Sequence, residues 1–253
     1  MFTTFTKNLA IDIEQNLKKL CPPSLLKRIE ITNLDAWVYR LLRKHDYDHK
    51  IVYDYLSNDA AKASWQKALA VKDSSLHLDE SFYREEWEKI ILAQGITDLN
   101  GYRRAKRVGR RSILNRKKRD AAWPVFEEYR NELSFNRLKE VDDAYRDAAG
   151  ILLDNPKEQQ YASIIIDETQ DLGAQALKLL RAMIPEGKND LFFVGDGHQR
   201  IYGRNRAVMG QCGINIRGRA RKLYLNYRTT DEIRKYALSI LEGREIDDLD
   251  GGV

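Results

Sequence analysis

The chain has 253 residues, enough to bury the core of one large domain or of two smaller ones. With 43% hydrophobic and 32% charged residues, its composition is ordinary for a soluble globular protein. No apolar run approaches the roughly 18 residues of a transmembrane helix, and the first residues lack the pattern of a secretory signal. Cys21 and Cys212 belong to no C-x-x-C pair, which argues against a disulfide framework or a zinc knuckle and favours a cytoplasmic location.

The net charge of +5 comes from one short segment. Ten lysines and arginines and no acid lie between Arg103 and Arg119, so the rest of the chain carries a net charge of −5. A positive field concentrated in this way favours a polyanion, with nucleic acid as the first candidate. Because ten uncompensated charges repel one another, we expect the segment to contact DNA; a solvated helix face or a disordered loop is the alternative. The residues expected at this interface are Arg103, Arg104, Arg107, Arg110 and Arg111.

The first part of the chain is predicted to be mostly helical. A β-prone run of Phe and Thr opens the chain, and an amphipathic helix follows that ends at Pro22 and Pro23. A short strand over residues 28–32 and an amphipathic helix around residues 37–42 come next. The pattern then stays helical and highly charged over about residues 45–138.

From about residue 160 the pattern changes to alternating strands and helices. The apolar run Tyr161–Ile166 predicts a strand buried in a parallel sheet, Leu191–Val194 predicts a second such strand, and Lys222–Leu225 predicts a third. The spacing of Thr229 and Glu232 predicts a capping box at the start of a helix after the third strand. Open sheets of this kind bind their ligands at the carboxyl ends of the strands.

Polar side chains follow each predicted strand. Asp167 could hold Mg²⁺ through its water shell, and Glu168 beside it could orient and deprotonate a water for attack on a γ-phosphate. An acidic turn that caps a helix is the alternative interpretation of this pair. Gln199 after the second strand could contact a phosphate oxygen, and Arg228 after the third could neutralise charge in the transition state. Tyr227 offers a flat face for a base.

Three segments resemble motifs of one helicase family. IIIDETQD, VGDGHQRIY and LNYRTT are similar to the second, third and fourth motifs of the UvrD/Rep-like superfamily 1 DNA helicases, in the order of that family. TFTKNLA is similar to its motif Ia, and residues 31–36 lie where a further DNA-contacting motif is expected. The resemblance covers nearly the whole chain. It implies an α/β fold, a RecA-like P-loop NTPase core with a parallel sheet that a helical insertion subdomain interrupts.

The resemblance also implies a role for each residue that matches a motif. Asp167 would bind Mg²⁺, Glu168 would be the catalytic base, and Gln199 would couple the γ-phosphate to DNA. Arg228 would act as an arginine finger from a second RecA-like core, and Tyr227 would stack on the base of ATP. The further residues expected at the nucleotide site are Gln170 and Asp171.

Two aromatic residues are expected at the DNA. The resemblance implies that Phe5 and Tyr202 stack on bases of single-stranded DNA, which tolerates any sequence, as a translocase requires. Thr4 and Thr6 flank Phe5 in the same motif and are expected at the same interface. Ordinary core packing is the alternative for both aromatic side chains.

The sequence departs from the family pattern in two places. Members commonly carry a tryptophan shortly after the tyrosine of the third motif, where this chain has Gly203–Arg206, so arginine contacts are expected instead. No G-x-x-x-x-G-K-[ST] phosphate-binding loop occurs, although the family places one just before motif Ia, and the last two motifs are also missing. We therefore expect a fragment or a natural truncation that hydrolyses ATP weakly by itself.

The predicted organisation has three units. Residues 1–50 and 146–218 are expected to form the first RecA-like core, residues 51–145 the helical insertion subdomain, and residues 219–253 the start of a second core. The predicted function is that of an ATP- and Mg²⁺-dependent helicase or translocase on single-stranded or forked DNA, monomeric, with 3′ to 5′ polarity and no membrane contact. The alternatives are a non-catalytic nucleic-acid-binding module from a truncated paralogue and a subunit of a helicase–nuclease or defence system.

Overall fold

The structure, a computed structural model, describes residues 1–4, 6–107, 110, 112–199, 207–223, 225, 227 and 229–240, with only the backbone at 198. The predicted site residues Phe5, Arg111, Tyr202 and Arg228 lie outside this part of the chain, as does the 203–206 segment. Their roles stay predictions. No helix within the described ranges is long and apolar enough to cross a membrane.

An α/β core opens the chain. Its first elements are, in chain order, β1 (Phe2–Thr4), α1 (Lys7–Leu20), α2 (Pro23–Leu26), β2 (Ile31–Asn33) and α3 (Leu34–Lys44). Helix α1 begins immediately after β1 because the hydroxyl of Thr6 caps it, accepting a hydrogen bond from the backbone N–H of Leu9.

A helical insertion follows. Its elements are β3 (Lys50–Val52), α4 (Asp59–Leu69), α5 (Glu80–Glu86), a π-helical stretch (Trp87–Leu92), α6 (Leu99–Arg104), α7 (Arg116–Phe135) and β4 (Leu138–Glu140). Strands β3 and β4 pair in parallel, so the segment that enters the insertion lies beside the segment that leaves it.

The chain then re-enters the α/β core. The remaining elements are α8 (Val141–Asp154), β5 (Ile164–Ile166), α9 (Ala174–Ala182), β6 (Leu191–Phe193) and α10 (Asp231–Ser239). Short 3-10 turns follow β5 at Thr169–Asp171 and β6 at Gly197–Gln199.

The strand order places a crevice at the middle of the sheet. Strands β1, β2, β5 and β6 are all parallel, in the spatial order β2-β1-β5-β6. The chain runs outward from β1 to β2 on one side and outward from β5 to β6 on the other. The connections therefore diverge between β1 and β5, a topological switch point, where ligands bind at the carboxyl ends of the strands. This architecture confirms the predicted α/β class with a parallel sheet and a helical insertion.

The α/β core and the insertion each contain their own cluster of buried side chains. The first packs helices α3, α8 and α9 against the sheet, where Ile164 and Ile166 are fully buried. The second lies within the insertion and is rich in aromatic rings, among them Trp65, Trp87 and Tyr129. No residue belongs to both clusters. The α/β core and the insertion thus each bury their own apolar surface.

The second predicted strand was wrongly expected to be buried. In β6 the side chain of Phe192 is 60% exposed, and Val194 just after the strand is 42% exposed. The reason is position, because β6 is the outermost strand of the described sheet and pairs with β5 alone. An apolar run does not distinguish an edge strand from a central one.

Three other local predictions also need correction. The described residues of the segment 222–225 form no strand. Thr230 rather than Thr229 caps α10, accepting a hydrogen bond from the backbone N–H of Ile233. The sequence also predicts that Pro124 lies in the first turn of a helix, a position that suits proline, but it lies in the interior of α7. There the packing of buried neighbours such as Phe126 outweighs the missing backbone hydrogen bond.

Candidate functional site

The first candidate carboxylate lies at the switch point. The backbone N–H of Asp167 donates to the carbonyl oxygen of Thr3 in β1 (2.9 Å), which ties the end of β5 to its neighbour. The side chain of Asp167 accepts a hydrogen bond from the backbone N–H of Glu168 (3.0 Å). The side chains of Asp167 and Glu168 are both half-buried, so a ligand can still reach their carboxylates.

Glu168 occupies a strained backbone position. Its φ of 54° and ψ of 41° place it in the left-handed region, which residues other than glycine rarely adopt and which persists only where the surroundings enforce it. Enforcement comes from Thr169, which is buried between β5 and β6. Its backbone N–H (3.0 Å) and its hydroxyl (2.8 Å) both donate to the carbonyl oxygen of Val194.

A buried amide positions the side chain of Glu168. Gln170 is 1% exposed, and its Nε2 donates to Oε2 of Glu168 (2.5 Å). Its Oε1 accepts a hydrogen bond from the backbone N–H of Asp196 (3.1 Å), in the loop after β6. Gly195 makes this contact possible, because a Cβ at that position would lie 2.7 Å from Oε1 of Gln170. Gln170 therefore connects the candidate base to the neighbouring loop.

The same loop carries Gln199. Its side chain is exposed, and its Nε2 donates to Oδ2 of Asp196 (3.0 Å). Asp171, at the end of the turn after β5, is half-buried and donates its backbone N–H to the carbonyl oxygen of Glu168 (3.1 Å). The structure thus gathers Gln199 and the residues of the DETQD segment at one edge of the sheet.

The donor set at this edge fits a hydrated Mg²⁺ ion. Asp167 supplies a half-buried carboxylate at the end of a strand, the hard oxygen donor that Mg²⁺ prefers. Within the described residues no group of three or more His, Cys, Asp or Glu could hold a metal ion by itself. An Mg²⁺ ion in a nucleotide site needs only one or two protein carboxylates, since phosphates and waters supply its other ligands.

Three other predicted site residues differ in the exposure and use of their side chains. Thr4 is 3% exposed, so its side chain is buried rather than displayed to a ligand. Thr6 is exposed, but its hydroxyl is engaged in capping α1. Tyr227 is 91% exposed, so its ring does not pack against the candidate site. The roles of these three residues stay predictions.

The basic segment is not the row of uncompensated charges that the sequence predicts. Arg103 forms two hydrogen bonds to the carboxylate of Asp120 (2.6 and 2.9 Å). Arg107 (2.6 and 2.8 Å) and Arg110 (3.0 Å) bind Glu86, which is fully buried, and the two arginine side chains are themselves only 7% exposed. Of the nine cations in the described part of this segment, three are therefore paired with acids. Arg104 is exposed, with no ion pair to an acid in the described ranges.

Several residues of the site escaped the sequence analysis. Three of them, Thr169, Gly195 and Asp196, lie within the segments IIIDETQD and VGDGHQRIY. Their position in these motifs was the signal that could have identified them. Glu86 had none, because it lies at the end of α5, 21 residues before Arg107 and 24 before Arg110.

Comparison with known proteins agrees with this arrangement. A family model described as UvrD/REP helicase N-terminal domain matches residues 1–212. A protein of Mycoplasma pneumoniae named "Probable DNA helicase" is 26% identical to the chain over 218 residues. The similarity covers 81% of this chain and 39% of that protein, so the chain spans about two fifths of the relative's length. The chain, with its RecA-like α/β core, belongs to the UvrD/REP helicase family through the N-terminal domain of that family.

Proposed function

We propose that this chain is part of an ATP-dependent DNA helicase or translocase that moves on single-stranded DNA with 3′ to 5′ polarity. The observation that carries the proposal is the carboxylate pair Asp167 and Glu168 at the switch point of the sheet, with Glu168 fixed by Gln170. Membership of the helicase family supports the same function.

Glu168 is the proposed catalytic base. One of its oxygens accepts a hydrogen bond from the neutral amide of Gln170, which orients the carboxylate without neutralising it. The other oxygen is then available to accept a proton from an attacking water. Asp167 would hold Mg²⁺, which when bound with ATP neutralises charge on the phosphates.

The loop after β6 is the proposed link between phosphate and base. Gln199 would contact the γ-phosphate, and its side chain already bonds Asp196, whose backbone N–H bonds Gln170. Arg228 as the arginine finger and Tyr227 beside the base complete the proposed site, with Asp171 at its margin. Tyr227 would meet a base only where its exposed segment packs against the nucleotide.

The proposed units follow the predicted boundaries. Residues 1–50 and 146–218 form the first RecA-like core, residues 51–145 the insertion, and residues 219–253 the start of a second core. The two separate clusters of buried side chains support the division between the first core and the insertion.

ATP hydrolysis by this chain alone is proposed to be weak. The sequence contains no G-x-x-x-x-G-K-[ST] loop, so it supplies neither the backbone N–H groups that surround phosphates nor the lysine that reaches them. The same feature favours a second candidate, a nucleic-acid-binding module without motor activity. An in-frame phosphate-binding loop upstream in the gene would decide for the helicase.

The test is hydrolysis of ATP by the purified chain with and without a single-stranded oligonucleotide. We expect oligonucleotide binding with little hydrolysis. Robust DNA-stimulated hydrolysis that Glu168→Gln abolishes, and that Glu186→Gln at an exposed loop position leaves intact, would overturn the proposed weak activity while supporting Glu168 as the base. A chain that binds no DNA at all would overturn the proposed DNA role.

A further inference from the structure

The helical insertion contains a cleft whose walls carry four arginines. It lies between α6 and the start of α7 and has a volume of about 520 Å³. None of the described residues that line it is acidic. The lining residues are Asn100, Arg103, Arg104, Leu114, Arg116 and Arg119.

Two of these arginines are held by the protein itself. Arg119 donates from Nη1 to the carbonyl oxygens of Tyr102 (2.7 Å), Arg103 (3.0 Å) and Ala105 (3.0 Å), which places its positive charge at the carboxyl end of α6. Arg103 is paired with Asp120. Both guanidinium groups therefore shape the cleft, and their hydrogen bonds are already largely used.

The other two arginines are open to a ligand. Arg104 is exposed and uses only Nε, which donates to the carbonyl oxygen of Asn100 (3.2 Å). Arg116 is exposed, and its charge contributes to the lowered pKa of Asp120, but no ion pair within 4 Å joins Arg104 or Arg116 to an acid in the described part of the chain. The planar guanidinium fork matches the oxygens of a phosphate and binds them in pairs.

The start of α7 adds to the positive field. The helix is 20 residues long, and its first turn holds Arg116, Lys117, Lys118 and Arg119 and no acid. The helix dipole already places positive charge at this end, so cations there oppose the dipole, whereas an anion would be attracted by both. A helix built in this way is best stabilised with an anion bound beside it.

We propose that this cleft is a phosphate-binding site whose occupant is a backbone phosphate of nucleic acid, held by Arg104 and Arg116. The exposed Lys106, Lys117 and Lys118 continue the positive charge beyond the cleft, which suits a chain of phosphates better than a single small anion. The proposal rests on the proposed function for the identity of the polymer. Arg107 and Arg110, which the sequence predicts to contact DNA, are proposed instead to fix the basic segment to α5 through Glu86.

The experiment compares two double variants of the same charge. Arg104→Gln/Arg116→Gln removes the two arginines that are proposed to hold the phosphate. Lys117→Gln/Lys118→Gln removes two charges from the first turn of α7, at residues that do not line the cleft. Binding of a single-stranded and of a forked oligonucleotide is measured by fluorescence anisotropy over a salt series. We expect the arginine variant to bind the oligonucleotide about tenfold more weakly or worse. Its slope of log K against log salt should become shallower by about 1.5, the value for two phosphate contacts. The lysine variant should lose about threefold or less.

Equal losses of affinity in the two variants would show that DNA binds a diffuse basic surface, and would refute the proposal that the cleft is the phosphate-binding site. An unchanged slope in the arginine variant would do the same while leaving the proposed function standing, whereas a chain that binds no DNA overturns both. Thermal unfolding gives the second readout. The oligonucleotide should raise the Tm of the unmodified chain more than inorganic phosphate does at equal phosphate concentration; an equal rise means that the cleft takes free phosphate. Without a ligand, the Tm of the arginine variant should change little, because loss of Arg116 removes a cation from the start of α7, while loss of Arg104 removes one exposed cation and one hydrogen bond from the last turn of α6.

Discussion

The α/β core and the insertion each fix one glutamate, in opposite ways. Glu168 is half-buried and accepts a hydrogen bond from the neutral amide of Gln170. Glu86 is fully buried and accepts hydrogen bonds from two arginines and from the hydroxyl of Tyr102 (3.0 Å). A carboxylate oriented by a neutral donor keeps its charge available, whereas one surrounded by cations is neutralised and becomes part of the scaffold. Burial and the type of partner, rather than residue type, separate the two roles.

The largest expected effect is on the insertion. In Glu86→Gln, Arg107 and Arg110 would lose their shared counter-charge while their side chains stay 7% exposed. Breaking a buried ion pair on one side costs about 3–5 kcal/mol, so we expect the free energy of unfolding to fall by about that amount in urea denaturation.

Glu85 provides a matched control for this variant. It neighbours Glu86 and pairs with Arg110 and Lys89, but its side chain is 50% exposed. Because exposed ion pairs contribute roughly 0–1 kcal/mol, Glu85→Gln should change the free energy of unfolding only slightly. Similar losses in the two variants would refute the scaffold role of Glu86.

A smaller effect is expected at the edge of the sheet. In Gly195→Ala the new Cβ would lie 2.7 Å from Oε1 of Gln170 and 3.2 Å from the backbone nitrogen of Thr169. Since Gln170 is buried, the overlap should cost about 1–3 kcal/mol of unfolding free energy, measured by urea denaturation. Gly187→Ala is the control, because nothing lies within 4 Å of a Cβ at that position. Equal stability of the two variants would mean that the Gln170 contact is not tight.

The difference between the two glutamates also explains what the sequence could predict. The carboxyl ends of parallel strands meet at one edge, so the position of Asp167 and Glu168 follows from a strand that the sequence identifies. Gln170 lies only two residues from Glu168 and inside the same motif. In this half of the chain, local sequence and the geometry of a parallel sheet are enough to place the candidate site.

In the insertion, by contrast, the decisive contacts are distant in sequence. Glu85 and Glu86 are adjacent and chemically identical, yet one is half exposed and the other fully buried. Which of them faces the core depends on how α5 packs against the aromatic cluster and on where the later basic segment folds back. Neither follows from periodicity in a helix of seven residues.

The segment 222–225 shows the opposite failure. Its apolar residues predict a buried strand, but Leu223 is 90% exposed and Leu225 is 74% exposed. A strand is stabilised by pairing and by packing of its apolar face rather than by intrinsic preference. The described residues 222, 223 and 225 form no strand, so for them the apolar pattern alone was not enough.

The smallest expected effect separates arginines that hold the fold from arginines that hold a ligand. Arg103 lines the basic cleft but is bound to Asp120. In Asp120→Asn the carboxylate charge disappears and the guanidinium of Arg103 becomes available to a phosphate. We expect tighter oligonucleotide binding, by a few-fold or about 0.5–1 kcal/mol, and a slope of log K against log salt that is steeper by up to about one.

Asp154→Asn, at an exposed position outside the cleft, gives the same change of net charge and should have less effect on binding. The hydrogen bond from Arg103 lowers the pKa of Asp120 from its usual value, so the carboxylate stays charged at pH values where an ordinary aspartate begins to be protonated. The difference in affinity between the unmodified chain and Asp120→Asn should therefore be constant from pH 8 to about pH 4 and shrink only at lower pH, as Asp120 becomes protonated. Weaker binding by Asp120→Asn would instead mean that the ion pair shapes the cleft, and that Arg103 must stay bound for Arg104 and Arg116 to meet a phosphate.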